Sequence, residues 1–539
     1  MSTHEGERPR WRGIAAKVTT VLACLLVLFA LVVPYDLERF SLEELAKLPI
    51  EGILGVGLLL LLPGRARKIG AILGGAVLGG LLLLKIMDAG FDLVLYRPFD
   101  LVLDWPLFKP AVDFLDVTVG KGAAVGAVIA AIVLALGVIA LVTVSVVRIT
   151  KVASRRHVLA TRTVRVLGIV WLVCAILGVP VASQSAAALA YSHATQVRDG
   201  IKDQEEFAKE AAIDAYRDTP GNELLQSLRG KDVVVTFVES YGRNAIDDPG
   251  VSATLTQGTA RLKAKGYESR SGLLTSPTAG GGSWMAQATL LSGLWIDNQQ
   301  RYRNLTTSDR LTLNGAFKRA NWQTAGVYPG ITQAWPEGNF FGYNEIYTAN
   351  DLGYRGPRFS YATMPDQYTL SALQKQVRDK QQGPIMAAVP MVSSHAPWSP
   401  IPQHVDWKDV GDGTIFNPMA GNGAPPESIF GRDPQQVRAD YAKSIQYSVD
   451  NLVSYVEEYG DDDLVLVFLG DHQPASIVTG EGASHDVPIT IVARDPKVME
   501  RVSSWGWNDG IKPGPQAPVW KMSDFRDRFI SAFSDKRRD

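Results

Sequence analysis

The chain has 539 residues, 46% of them hydrophobic and only 20% charged, with a mean hydropathy of +0.03. It is too long for one core and too apolar for a disordered protein. A formal net charge of −1 leaves no basic surplus to neutralise phosphate backbones, which excludes a general nucleic-acid binder.

That neutrality hides a split. Residues 1–190 carry 19 Lys and Arg against 13 Asp and Glu, and the remainder carries 35 against 42. Cys24 and Cys174 both lie in apolar runs, so no disulfide framework is available to the second half.

Five apolar stretches occupy residues 13–34, 50–63, 69–87, 120–147 and 166–190. Most reach the ~20 residues a helix needs to cross a bilayer, and a removable signal peptide does not account for five of them. Basic flanks alternate with acidic ones. Arg8, Arg10, Arg12 and Lys17 precede the first stretch; Arg65, Arg67 and Lys68 separate the second and third; Arg148, Lys151, Arg155, Arg156, Arg162 and Arg165 separate the fourth and fifth. The intervening loops hold Asp36, Glu38, Glu43, Glu44 and Glu51, then Asp88, Asp92, Asp100, Asp104, Asp113 and Asp116. By the positive-inside rule the amino terminus is cytoplasmic, and five crossings place everything after residue 190 outside the membrane. The expected organisation is a transmembrane domain over 1–190, a helical connector over 191–230 and an extracytoplasmic domain over 231–539. Segment 88–119 adds Phe91, Tyr96, Phe99, Trp105, Phe108 and Phe114 to its acids, a mix that suits the outer membrane–water interface or a plain exposed loop.

From Lys231 onward, short β-branched runs alternate with helical ones, which predicts an α/β domain with a largely parallel central sheet. Three runs end in clusters of functional groups. Residues 233–238 lead into Glu239-Ser240, residues 385–392 into Ser393-Ser394-His395, and residues 464–469 into Gly470-Asp471-His472. Ligands of open α/β sheets bind beyond the carboxyl ends of the strands. Singly, each motif reads as a cap or turn; together they supply the mixed oxygen and nitrogen donors that suit Mn²⁺ or Zn²⁺. A fourth element, Gly280-Gly281-Gly282-Ser283, precedes a helix-forming run ending at Gly293, and places Ser283 at a helix start. Free N–H groups there favour an alkoxide and a phosphoryl oxygen; the plainer alternative is an N-cap serine.

The order of strand-end acid, Ser at a helix start, strand-end His and Gly-Asp-His resembles the alkaline phosphatase and sulfatase superfamily. With five crossings ahead of it, the chain is most similar to the lipoteichoic acid synthase branch. The helix over 441–455 also resembles that family's Tyr-containing helix. The resemblance implies that Glu239, Asp471 and His472 hold one divalent metal ion, Mn or Zn, with the oxygen of the nucleophile as fourth ligand. It offers Ser283 as nucleophile, with Thr278 as rival because many relatives use Thr. His395 resembles the His that contacts phosphate or protonates the leaving oxygen, and His485, in Ser484-His485-Asp486, resembles the later His of phosphoethanolamine transferases.

Departures narrow the chemistry. Ser283-Trp284-Met285-Ala286-Gln287 lacks the Pro and Arg of a formylglycine sulfatase. Lipoteichoic acid synthases place an Arg two residues after a Trp to grip glycerol phosphate, whereas the nearest match here is Trp335-Pro336-Glu337. The resemblance therefore implies a membrane-anchored, metal-dependent transferase. It would move a glycerophosphate-like or phosphoethanolamine-like head group from an outer-leaflet phospholipid to an envelope glycan or polymer. The alternatives are a membrane-tethered phosphodiesterase or phosphatase, and an inactive assembly scaffold. Segment 399–434, rich in Pro and Gly, reads as a lid or a surface insertion, Arg301 and Arg303 as solvated charges, and Asp461-Asp462-Asp463 as a turn.

Overall fold

The computed structural model describes residues 10–34, 47–95, 98–177, 182–183, 185–421, 432–480 and 482–535. Arg8, the acidic group Asp36, Glu38, Glu43 and Glu44, Tyr96, the middle of segment 399–434 and the carboxyl tail 536–539 lie outside the described residues. The chain divides into two compact units, Met1–Leu93 with Arg97–Lys202, and Val94–Tyr96 with Asp203–Asp539.

The first unit is helical: α1 (Arg10–Val32), α2 (Ile50–Leu61), α3 (Gly64–Leu95), α4 (Phe108–Val119), α5 (Lys121–Arg155), α6 (His157–Ile176) and the start of α7 (Ser185–Ala212). Four of these, α1, α3, α5 and α6, are long and apolar enough to cross a membrane, while α2 has only 12 residues. Five full-length spans are thus not seen among the described residues. The expected fifth stretch is also displaced: the helix starts at His157, and its apolar composition runs on past the helix end into the short strand Ala182–Ser183 and α7. Composition marked the run but not its breaks. Segment 88–119 is no plain loop, because α3 continues to Leu95 and the rings of Phe91, Phe99, Trp105 and Phe108 pack edge-on at 4.9–6.2 Å.

Several polar groups inside this apolar unit are paired, as a low-dielectric setting favours. Lys85, 2% exposed, donates to the carbonyls of Ala30 and Leu31 at the end of α1, and Arg67 donates to Leu59 and Leu62 at the end of α2. His193 meets Asp88 at 3.1 Å. Helices α3 and α5 touch at the backbone: a Cβ added to Gly79 would lie 2.8 Å from the Ile139 Cα, so only glycine permits that approach.

The second unit is built on a nine-stranded sheet. In chain order its strands are β1 (Asp232–Val238), β2 (Glu268–Thr275), β3 (Gln323–Tyr328), β4 (Glu345–Thr348), β5 (Ile385–Met391), β6 (Leu464–Gly470), β7 (Asp486–Ala493), β8 (Asn508–Asp509) and β9 (Val519–Lys521). The spatial order is β8-β2-β7-β6-β1-β5-β3-β4, with β9 beside β2. The block β6-β1-β5-β3-β4 is parallel, but β7 runs antiparallel to both β6 and β2, and β8 antiparallel to β2. The sheet is therefore mixed: its main block is parallel, as expected, but β7 and β8 run against their neighbours. A buried strand such as β7 shows the same unbroken apolar run in either direction, so its sequence carries no sign of polarity.

Helices cover both faces. In β1, Val233, Val235 and Phe237 enter one core and Val234 and Val238 the other, which explains a run with no polar alternation. On the first face lies α9 (Ser283–Ser292), whose residues Met285 to Ser292 are all buried. On the second, α8 (Pro249–Ala264) packs with α10 (Pro434–Tyr459), which buries Val437, Tyr441, Ile445, Val449, Leu452 and Val456 at helical spacing. Within the expected connector 191–230 the long helix ends at Ala212, and Asp214 just beyond it pairs with Arg526.

Candidate active site and metal centre

Strand register builds the site. Val238, the last residue of β1, lies opposite Met391 of β5 on one side and Gly470 of β6 on the other. The residues that follow each strand consequently leave the sheet at one edge, side by side. Ser240 is at φ 56°, a left-handed turn that costs a non-glycine residue roughly 1–3 kcal/mol and is held by its surroundings. Its N–H donates to Asp471 Oδ1 at 2.8 Å, and its carbonyl accepts from the Tyr441 hydroxyl at 2.9 Å. Gly470 is equally constrained, since a Cβ there would stand 1.8 Å from the Tyr241 carbonyl oxygen.

Glu239, Asp471 and His472 converge on this edge, each more than nine-tenths buried. One ligand atom from each lies within 4.8 Å of the others. Ser283, first residue of α9, donates from Oγ to Glu239 Oε2 at 2.9 Å and stands 3.2 Å from His472 Nε2. His472 Nδ1 is 2.8 Å from the Gln473 carbonyl, which can only accept, so Nδ1 carries the proton and Nε2 faces the carboxylates. Nε2 lies 3.3 Å from Glu239 Oε1 and 3.8 Å from Asp471 Oδ2.

The electrostatics follow from this crowding. Burial works against the charged form of Glu239, but its hydrogen bond to His472 and the imidazole's charge outweigh it and hold the carboxyl below its ordinary range. Burial, and then the neighbouring Glu239, push Asp471 up to about 7. His472 is raised to about 9, since Asp471 and Glu239 overcome the opposing effect of burial.

These residues fit a divalent cation. Two buried carboxylates face a nitrogen whose partner nitrogen is already committed as donor, an arrangement that demands positive charge at its centre. Oxygen and nitrogen donors of this kind suit Mn²⁺ or Zn²⁺. Glu239, Asp471 and His472 would hold the ion, with Ser283 Oγ beside it.

A cavity of about 440 Å³ opens next to the cluster and is lined by Glu239, Ser283 and His395 among others. His395 Nδ1 lies 2.8 Å from the Ala396 carbonyl, leaving Nε2 free of that bond, and the ring stacks on Tyr361 with centroids 3.8 Å apart. The loop bearing His395 is fixed by buried Asp366, which accepts from the N–H groups of Val392 and Ser393 and from the Ser448 hydroxyl. Tyr361 and Asp366 carry no motif, and sequence reasoning missed both.

The other candidates stand elsewhere. Thr278 does not line the cavity, and its buried Oγ1 makes no hydrogen bond. His485 lies just before β7; its carbonyl accepts from the Ser276 N–H, but its ring is not part of the cavity wall. Arg301 is no solvated charge: it is only 12% exposed and locked to Asp203. In segment 399–434, Trp407 and Phe416 are buried and His404 bonds to Asn451, so its described part is a packed insertion. Trp335 and Glu337 both line the cavity.

Residues 231–489 match the sulfatase family, so this segment forms a sulfatase-like domain. No curated protein matches the chain in sequence. Three similar solved structures are the lipoteichoic acid synthase LtaP from Listeria monocytogenes, the phosphoglycerol transferase GacH from Streptococcus pyogenes in complex with sn-glycerol-1-phosphate, and the lipooligosaccharide phosphoethanolamine transferase A (EptA) from Neisseria meningitidis. LtaP is 15% identical, with a TM-score of 0.39 over 63% of this chain and 79% of its own. GacH is 13% identical, with a TM-score of 0.39 over 62% and 80%. EptA is 11% identical, with a TM-score of 0.49 over 96% and 95%.

Proposed function

We propose that this chain is a membrane-anchored phosphotransferase of the lipoteichoic acid synthase-like kind, with its catalytic domain outside the membrane. It moves a phospho-alcohol head group from an outer-leaflet phospholipid to an envelope glycan or polymer through a covalent intermediate on Ser283. The observation that carries this reading is the placement of Ser283 Oγ within hydrogen-bond distance of both Glu239 and His472, at the amino end of a buried helix.

A divalent cation held by Glu239, Asp471 and His472 would lower the pKa of the Ser283 hydroxyl and neutralise phosphate charge. Glu239 orients that hydroxyl, and the free N–H groups at the start of α9 receive phosphoryl oxygens. Ser283 Oγ gives its proton to solvent and forms a bond to phosphorus, and the bond from phosphorus to the lipid alcohol breaks. His395, whose Nε2 is left free on the cavity wall, protonates the departing alkoxide. It then takes the proton from the acceptor hydroxyl as that oxygen displaces Ser283, whose Oγ recovers a proton from solvent. His485, off the wall, is not needed for either transfer.

The test is intact-mass analysis of the full-length protein in detergent with Mn²⁺ or Zn²⁺ and a bacterial lipid extract. A mass gain in the native protein, absent from Ser283→Ala, supports the reading. An equal gain in both removes Ser283 as nucleophile, and no gain without metal uptake favours a scaffold. Lipid turnover without any added acceptor would identify a hydrolase.

A further inference from the structure

Beyond the catalytic cluster, the residues lining the cavity include the aromatic rings of Trp284, Tyr302, Tyr328, Trp335 and Tyr361 and the exposed Glu337. Among the described residues that line it there is no Lys or Arg. Trp335 is held from two sides, its ring 4.6 Å from Tyr328 and stacked 5.7 Å from Phe341. Glu337, two residues on, opens the short helical turn Pro336–Phe341, and its charge acts on the Tyr302 hydroxyl. Arg358, whose charge acts on Tyr361, is not among the described lining residues, and Arg301 is committed to Asp203.

A phosphodiester presents this site with one negative charge, which the cluster of Glu239, Asp471, His472 and their cation would meet. The rest of the substrate meets aromatic faces and a carboxylate. An aromatic face carries negative electrostatic potential and attracts a cation, most strongly when the cation is desolvated. A carboxylate on the same wall adds to that attraction and repels a second anion. A neutral polyol gains from neither.

We propose that this cavity selects a phosphodiester whose alcohol carries an ammonium group, an ethanolamine or choline head group, with the ammonium held against Trp335 and Glu337. Glu337 is then the residue that sets specificity against glycerol phosphate. The inference rests on the reading of Ser283 as nucleophile only for the identity of the reacting phosphate; the selectivity of the wall is testable without turnover.

The first measurement is calorimetric binding to full-length, metal-loaded Ser283→Ala protein in detergent. The probes are O-phosphoethanolamine, phosphocholine, sn-glycerol 1-phosphate and N-acetylglucosamine 1-phosphate. The amine-bearing probes are expected to bind about tenfold tighter than glycerol phosphate, and Glu337→Gln to remove most of that margin. Equal affinities, or a margin untouched by Glu337→Gln, overturn the inference, and tightest binding of the sugar phosphate would make the wall a sugar platform instead. The second measurement is the covalent adduct on the native protein with vesicles of phosphatidylethanolamine or phosphatidylglycerol. An adduct from the second lipid alone sinks the inference while leaving Ser283 as nucleophile. Selective amine binding without an adduct from either lipid upholds the wall and removes the nucleophile.

Discussion

Ser394 donates from its hydroxyl to the Glu239 backbone carbonyl at 2.6 Å, fastening the end of β5 to the end of β1. The bond joins the residue before His395 to the residue proposed as a metal ligand, so the two halves of the chemistry share one anchor. Ser394→Ala leaves a buried carbonyl without its partner, at a cost of about 1–3 kcal/mol. Denaturant unfolding should show that loss, and turnover should fall about tenfold as His395 loses its placement, with metal content unchanged.

Ser283→Ala should abolish turnover and leave the thermal melting curve close to that of the native protein, because its side chain is partly exposed and caps no helix hydrogen bond. Thr278→Ala should retain activity within a few-fold, since Thr278 bonds to none of the cluster. Side-by-side assays of the two variants decide between the hydroxyls. Loss of activity in Thr278→Ala with full retention in Ser283→Ala would reverse the assignment.

His472→Ala and Asp471→Ala should each lose bound divalent metal, measured by elemental analysis after gel filtration. One equivalent is expected in the native protein and a small fraction of it in the variants. Chelation should lower the native melting temperature, because removal of the ion leaves two buried carboxylates facing each other. Neither variant should respond to chelator.

Asp214 and Arg526 are both fully buried and form two hydrogen bonds, and Asp214 also accepts from the Leu311 N–H. Burial works to raise the Asp214 carboxyl, but Arg526 overcomes it and leaves the folded-state value below the ordinary one. The stabilisation is therefore complete above the unfolded value of about 3.9 and lost as pH falls through the lower, folded one. Asp214→Asn should cost about 3 kcal/mol near neutral pH, because it leaves buried Arg526 with only the half-exposed Asp527 as counter-charge. In melting curves taken from pH 7 downward, the gap between native and variant should narrow below about pH 4.

How much of this was legible beforehand depended on whether one segment carried its own signal. The runs ahead of Glu239, His395 and Asp471 announce strands, and their motifs announce an edge site, because a strand buried on both faces ends abruptly where polar residues begin. The apolar stretch after residue 166 misled for the converse reason: apolar residues continue through 177–190, but the helix ends at Ile176 and a new one, α7, opens at Ser185. Direction was invisible in β7, which reads the same whichever way it pairs. Tyr361 and Asp366 were out of reach because their roles come from partners far along the chain. Tyr361 stacks on a ring 34 positions later, and Asp366 is fixed by Ser448 across a separation of 82.

The bond between the Ser240 N–H and Asp471 spans 231 positions of sequence. A ribosome must therefore make the second unit as far as β6 before the first strand can meet the strand that completes the edge. Long separations of this kind make for slow assembly, since the intervening chain has to be closed into a loop first. Under the proposed function, Glu239 and Ser283 would be synthesised well before Asp471 and His472 and could not react alone. Activity would then appear only when β6 docks, and a chain stalled or clipped before residue 464 would be inert.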